Sequence, residues 1–241
     1  MFADKINGKC VSIADTHGDL SKVKNMLGFL CKEKIIDDDT WLVFLGDHVD
    51  IGPDTAGTIN LLINFHKYHP KTTFLCGNHD LNLIKGLNLI DNPDHEFYLN
   101  RIPNRCSATL KSYKAANAKE LNEKMPDSHK EFFKKLVWHC EHPDFFFVHA
   151  GLDSTEPYDS QLKKLQARDI NQYKPKWLYE DSLGMHMPPV DTNKCVVSGH
   201  CIRSYILMDE NKKRIGLDTG CGYNGPLSAV ALPEFKFYQA K

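Results

Sequence analysis

The sequence has no long apolar run, no basic tract and no C-x-x-C pair, and each absence closes off a class of protein. A membrane-spanning helix needs about 18 or more apolar residues in succession. The segment from Met1 to Lys9 also lacks the apolar centre of a secretory signal. A soluble, cytoplasmic protein is therefore expected. Lys+Arg 30 against Asp+Glu 31 gives a formal net charge of -1, so no general electrostatic attraction draws the chain to nucleic acid or to an anionic membrane. Neither is expected as a partner, and any phosphate recognition must be local. Eight cysteines in 241 residues, without zinc-site spacing, fit buried reduced thiols better than a disulfide scaffold.

What is present fits a globular α/β chain. With 41% hydrophobic residues the chain can bury a sizeable core, and a single domain over 1–241 is expected. Short β-rich runs recur at Cys10 to Ala14, Trp41 to Leu45, Thr72 to Cys76, Phe145 to Val148, Cys195 to Ser198, Ser204 to Met208, Arg214 to Leu217 and Leu227 to Leu232. Between the first three lie Leu20 to Glu33 and Thr55 to Tyr68, whose apolar residues recur every three or four positions, as helices require. The first half thus reads β-α-β-α-β with parallel strands. Residues 80–139 are polar and broken by Pro93, Pro103 and Pro126, and read as a helical insertion. The closing third, with its Gly-rich turn Gly220 to Pro226, suggests a second, mixed or antiparallel sheet. Residues 153–190 read as a long loop carrying one short helix, of the kind that serves a site.

Polar clusters follow five of the apolar runs: Asp15-Thr16-His17-Gly18, Gly46-Asp47-His48-Val49-Asp50-Ile51-Gly52, Gly77-Asn78-His79-Asp80, His149-Ala150-Gly151 and Gly199-His200. Strands of an α/β sheet open onto one crevice at their carboxyl ends, so the clusters are expected to meet there. Taken singly, a histidine at a strand end is usually a hydrogen-bonded structural residue, and an aspartate after glycine a turn residue. Together they offer carboxylate, amide and imidazole donors, a set suited to manganese, iron or zinc. Asp15 and His17 alternate closely enough to share one metal, Asp47 has two oxygens able to bridge, and Asn78, His149 and His200 can complete a second site.

These clusters resemble the D-x-H-G, G-D-x-V-D-x-G, G-N-H-D/E, H-A-G and G-H motifs of the calcineurin-like metallophosphoesterases, specifically the phosphoprotein phosphatase branch, and the likeness covers nearly the whole chain. Arg214 to Gly220 and Gly225 to Ala229 are similar to a C-terminal segment of small bacterial and phage members. The resemblance implies a fold with a central β-sandwich of two mixed sheets flanked by helices. It also implies two divalent metals per chain, manganese first and iron or zinc as alternatives. Asp15, His17 and Asp47 would hold the first metal; Asp47, Asn78, His149 and His200 would hold the second. His79 would be the general acid, oriented by Asp50. A hydroxide held by the metal pair would attack the ester phosphorus, since such coordination lowers the pKa of water from 15.7 to roughly 7.

Two departures from the pattern matter. Ile202 stands where many superfamily members have a further histidine, a loss shared with the phosphatase branch. Ile51 replaces an arginine that clamps the phosphoryl group in most of that branch. Arg168 is expected to act as the remaining clamp, with Asn78 and Tyr223 as further substrate-binding groups; Arg101, Arg105 and Arg203 are candidates to replace the missing guanidinium. The expected substrate is a phosphorylated protein or peptide, on serine or threonine with tyrosine possible. A symmetrical dinucleoside tetraphosphate hydrolase is the alternative enzyme, and a catalytically inactive binding scaffold the alternative from another class.

Overall fold

The computed structural model describes residues 1–91, 96, 99–100 and 106–241. Five strands, β1 (Cys10–Ile13), β2 (Trp41–Phe44), β3 (Thr72–Phe74), β9 (Leu227–Leu232) and β10 (Lys236–Ala240), form one mixed sheet in the order β10-β9-β1-β2-β3. β1, β2 and β3 run parallel, and β9 and β10 are antiparallel to their neighbours. The second sheet has the order β4-β5-β6-β8-β7, from β4 (His139–Glu141), β5 (Phe145–Val148), β6 (Cys195–Ser198), β7 (Leu207–Met208) and β8 (Arg214–Gly216). Its centre, β5-β6-β8, is parallel, and its edges β4 and β7 are antiparallel. Two mixed sheets flanked by helices are the architecture expected. The strands β4 and β10 have no counterpart among the runs picked out above, because each mixes polar and apolar residues at a sheet edge.

Helices α1 (Leu20–Lys32) and α2 (Thr55–Tyr68) are the two crossovers of the parallel trio. Each begins where an aspartate accepts a hydrogen bond from the first turn: Asp19 from Lys22 N at 3.1 Å and Asp54 from Gly57 N at 2.9 Å. Val23, Met26, Leu27 and Leu30 form the buried stripe of α1. Among the described residues, five further helices carry the chain around the sheets: α3 (Asn78–Gly86), α4 (Ser107–Ser112), α5 (Ala118–Lys124), α6 (Asp127–Lys135) and α7 (Tyr158–Ala167). A short α8 (Lys176–Tyr179) and a 3₁₀ turn at Asp181–Gly184 follow. Residues 153–190 are therefore more ordered than the single short helix expected there. Gln161 explains part of this, since its buried amide donates to the carbonyls of Asp153 and Glu156 and accepts from the Trp177 indole at 2.9 Å. Among the described residues no helix is long and apolar enough to cross a membrane. None of the eight cysteines is in a disulfide; seven are buried and Cys31 is exposed.

Candidate metal centre and active site

The parallel strands of both sheets end beside one another, so the five polar clusters meet from two sheets rather than one. Asp15 follows β1, Asp47 follows β2, Asn78 follows β3, His149 follows β5 and His200 follows β6. The backbone bends sharply there: His17, Asp47, Asp50 and His200 all have positive φ, 42°, 49°, 68° and 63°. Such conformations cost of order 1–3 kcal/mol each and persist only where the surroundings impose them. Two glycines are dictated by the ligand atoms themselves, because a Cβ at Gly77 would collide with Asp47 Oδ1 and one at Gly199 with Asp15 Oδ1.

Asp47 is the hub. Its carboxylate and ligand nitrogens of His17 and His79 lie within 4.8 Å of one another, and so do those of Asp47, His149 and His200. His17 and His149 each have one nitrogen engaged outside the cluster and the other turned inward. His17 Nδ1 lies 3.1 Å from Val49 O and its Nε2 3.8 Å from Asp47 Oδ2. His149 Nδ1 lies 2.7 Å from Leu45 O and its Nε2 3.5 Å from Asp47 Oδ2. Engagement of the outer nitrogen fixes tautomer and ring direction, as metal-ligating histidines require.

The Asn78 amide tests whether a cation fits. Its Oδ1 sits 3.2 Å from His149 Nε2. Turned over, its nitrogen would donate to His200 Nδ1 at 3.0 Å and to Asp47 Oδ2 at 3.2 Å. An amide oxygen facing only acceptors is repelled unless a positive ion lies among them, so this orientation suits a cation. The carboxylates give the same answer. Asp15, Asp47, Asp80 and Asp218 are all buried, and Asp15 Oδ1 and Asp218 Oδ2 have no hydrogen-bond partner. Burial and the neighbouring Asp218 push the Asp15 carboxyl well above its ordinary value. Burial opposes ionisation of Asp47 too, but the imidazoles of His149 and His79 outweigh it and hold this carboxyl well below the ordinary range. Crowded buried carboxylates without compensating cations are costly. The donor set fits hard or borderline divalent metals.

His79, which also borders the first set, is engaged differently. Its Nδ1 lies 2.9 Å from Asp50 Oδ2. Burial disfavours its charged form, but the Asp47 and Asp50 carboxylates prevail and push its pKa up to about 9. Asp80 ties the loops together, accepting from His48 N and Gly77 N at 2.9 Å each.

Other expected residues go elsewhere. Arg168, at the left-handed end of α7, donates to Lys134 O at 3.1 Å and contacts Met1 Sδ at 3.2 Å. Its side chain thus ties α7 to the end of α6. Arg203 donates to Cys201 O and Gly184 O, so its guanidinium is committed to backbone. Arg101 and Arg105 lie outside the described residues. Tyr223 does reach the cluster: its half-exposed ring meets the His17 ring edge-on, with centroids 5.7 Å apart.

Two participants had escaped the sequence reading. Asp218 follows the parallel strand β8 and obeys the strand-end rule that found the other candidate residues. Asp181 offers no local signal, yet its carboxylate lies 2.9 Å from His200 Nε2. The contact lacks hydrogen-bond geometry, since His200 Nε2 has no hydrogen-bond partner, and Asp181 is largely exposed. Asp181→Asn is accordingly expected to change the affinity for a divalent ion by less than about threefold, read by competition with a chelating dye. A tenfold loss would mean that the carboxylate does hold the His200 ring.

The calcineurin-like phosphoesterase model matches residues 9–221. No curated protein matches. Among solved structures, a protein assigned as a diadenosine tetraphosphatase is similar over 99% of this chain and 98% of its own, at 21% identity and TM-score 0.66. A cold-active protein-tyrosine phosphatase of a psychrophilic Shewanella species is similar over 100% of this chain and 83% of its own, at 18% identity and TM-score 0.58. A protein serine/threonine phosphatase from Saccharomyces cerevisiae is similar over 99% and 83%, at 13% identity and TM-score 0.58. Identities this low speak for the fold alone.

Proposed function

The chain belongs to the calcineurin-like phosphoesterase family, and from that premise we propose that it is a metal-dependent phosphomonoesterase acting on phosphorylated protein or peptide. The observation that carries this reading is the meeting of two donor sets at Asp47, with the His79–Asp50 pair beside them. Asp15, His17 and Asp47 would hold one divalent ion, and Asp47, Asn78, His149 and His200 a second, with manganese as the first expectation. When bound, the pair supplies Lewis-acid activation of water and neutralises phosphoryl charge.

The protein's own groups do the rest. Water adds to phosphorus as the ester P–O bond breaks, and the departing alkoxide takes a proton from His79 Nε2. Nδ1 is turned to Asp50, so Nε2 is the nitrogen free to face substrate. Asp50 keeps the imidazole charged and aimed, a general-acid role typically worth 10² to 10⁴ in rate. Asn78 and the Tyr223 ring, which meets His17, would border the phosphoryl group. Because Ile51 stands where the resemblance puts a clamp arginine, the floor of the site is less basic there. That favours a single phosphoryl group over a polyphosphate chain.

The test is a substrate panel in Mn²⁺, with and without EDTA: p-nitrophenyl phosphate, phosphoserine, phosphothreonine and phosphotyrosine peptides, and diadenosine tetraphosphate. The expected result is EDTA-sensitive turnover with higher kcat/KM for a phosphopeptide than for the dinucleotide. A dinucleotide preference of about tenfold or more, worth roughly 1.4 kcal/mol, would replace this reading with a dinucleoside tetraphosphate hydrolase.

A further inference from the structure

The acid pair leans on a residue from far along the chain. Thr109, fully buried in α4, donates its hydroxyl proton to Asp50 Oδ1 at 2.6 Å and accepts the Asp50 backbone N–H at 3.1 Å. The Thr55 hydroxyl is 3.2 Å from the Thr109 hydroxyl oxygen. A threonine hydroxyl has one proton and two lone pairs, so these three contacts use all of it, two on Asp50 and one on Thr55 at the start of α2. The turn at Asp50 needs holding: Asp50 and Ile51 have φ of 68° and 63°, and a β-branched residue in this region is a genuine outlier.

The division of the carboxylate follows. Oδ1 goes to Thr109 and Oδ2 to His79 Nδ1. A carboxylate tied at one oxygen alone can swing about its last torsion, whereas one tied at both presents Oδ2 to the imidazole in one direction. We propose that Thr109 is a positioning residue for leaving-group protonation, through which the helical segment after β3 fixes the aim of His79. The proposal rests on the reading of His79 as the acid.

The alternative is that Thr109 only docks α4. Ser112, one turn further along the same helix, provides the comparison: its hydroxyl accepts from Ala56 N at 2.8 Å and donates to Asp54 Oδ1 at 3.0 Å without touching Asp50. Thr109→Val keeps the shape and removes the hydroxyl, Thr109→Ser keeps the hydroxyl, Ser112→Ala loosens the helix alone, and His79→Asn removes the acid. For each, kcat would be measured on a phosphoserine peptide, whose alkoxide needs a proton, and on p-nitrophenyl phosphate, whose leaving group needs little. Metal content would be measured alongside.

Misaiming a catalytic group by about 1 Å can cost around 10²-fold. Thr109→Val is accordingly expected to lose about 10- to 100-fold on the peptide and under about threefold on the aryl ester, with metal content unchanged. Thr109→Ser should stay within about threefold on both, and Ser112→Ala should keep the wild-type ratio of the two rates. Should Thr109→Val not fold, Thr109→Ala, which leaves room for water, carries the same comparison. A wild-type ratio in the Thr109 variant, with a shifted one in His79→Asn, would overturn the proposal alone. So would an equal shift in Ser112→Ala. A wild-type ratio in His79→Asn would instead remove the acid assignment on which the proposal stands.

Discussion

Asp47→Ala is expected to leave the purified protein with well under one metal ion per chain and to lower kcat by at least about 10³-fold, since a Lewis-acid centre supplies several kcal/mol and each 1.36 kcal/mol is a factor of ten. The size follows from its position as the residue common to both donor sets. It also follows from its second contact, because Asp47 Oδ1 accepts the His79 backbone N–H at 2.9 Å. One substitution therefore removes a ligand from each site and a tether from the acid. Elemental analysis and kinetics with p-nitrophenyl phosphate read the result, and circular dichroism separates it from unfolding. A folded Asp47→Ala protein that still held two ions and turned over at the wild-type rate would show that the site is not organised around this residue.

The second large effect is expected from His79→Asn. Asparagine keeps the backbone N–H that donates to Asp47, so metal content should be unchanged, while the proton donor is gone. The expected loss in kcat is about 10² to 10⁴ for an alkyl phosphate and much smaller for p-nitrophenyl phosphate. Wild-type His79 is charged at neutral pH because Asp47 and Asp50 overcome its burial and raise its pKa to about 9. The donor form is thus present below that value and lost as pH rises through it. Cations held at Asp47 would oppose the positive imidazole and move this limb to lower pH. Equal losses on alkyl and aryl esters would argue that His79 binds substrate without donating a proton.

The strand-end clusters were legible because a parallel strand buried on both faces reads as a short apolar run, as Phe145–Val148 and Cys195–Ser198 do, and the polar residue after it marks where the chain leaves the sheet. Asp15, Asp47, Asn78, His149 and His200 could be found this way, and Asp218 could have been by the same rule. Local chemistry also specified α1 and α2, through a capping aspartate and an apolar stripe each. The order of the strands and the meeting of two sheets at one edge were open, since hydrogen-bonded pairing joins segments whose separation along the chain carries no local mark.

Side-chain direction was the other matter left to packing. Arg168 itself ends α7 in a left-handed conformation, and its guanidinium reaches Lys134 and Met1. Thr109 lies 59 positions from Asp50, and Asp181 19 from His200; nothing in either neighbourhood announces the partner. The sequence by itself determined the donor residue types, their places at strand ends and the family, because backbone periodicity and donor chemistry are local properties. Only the tertiary structure decided which carbonyls Arg168 and Arg203 bond to and which hydroxyl and carboxylate come to lie beside Asp50 and His200, because those contacts exist only once distant segments have packed against the two sheets.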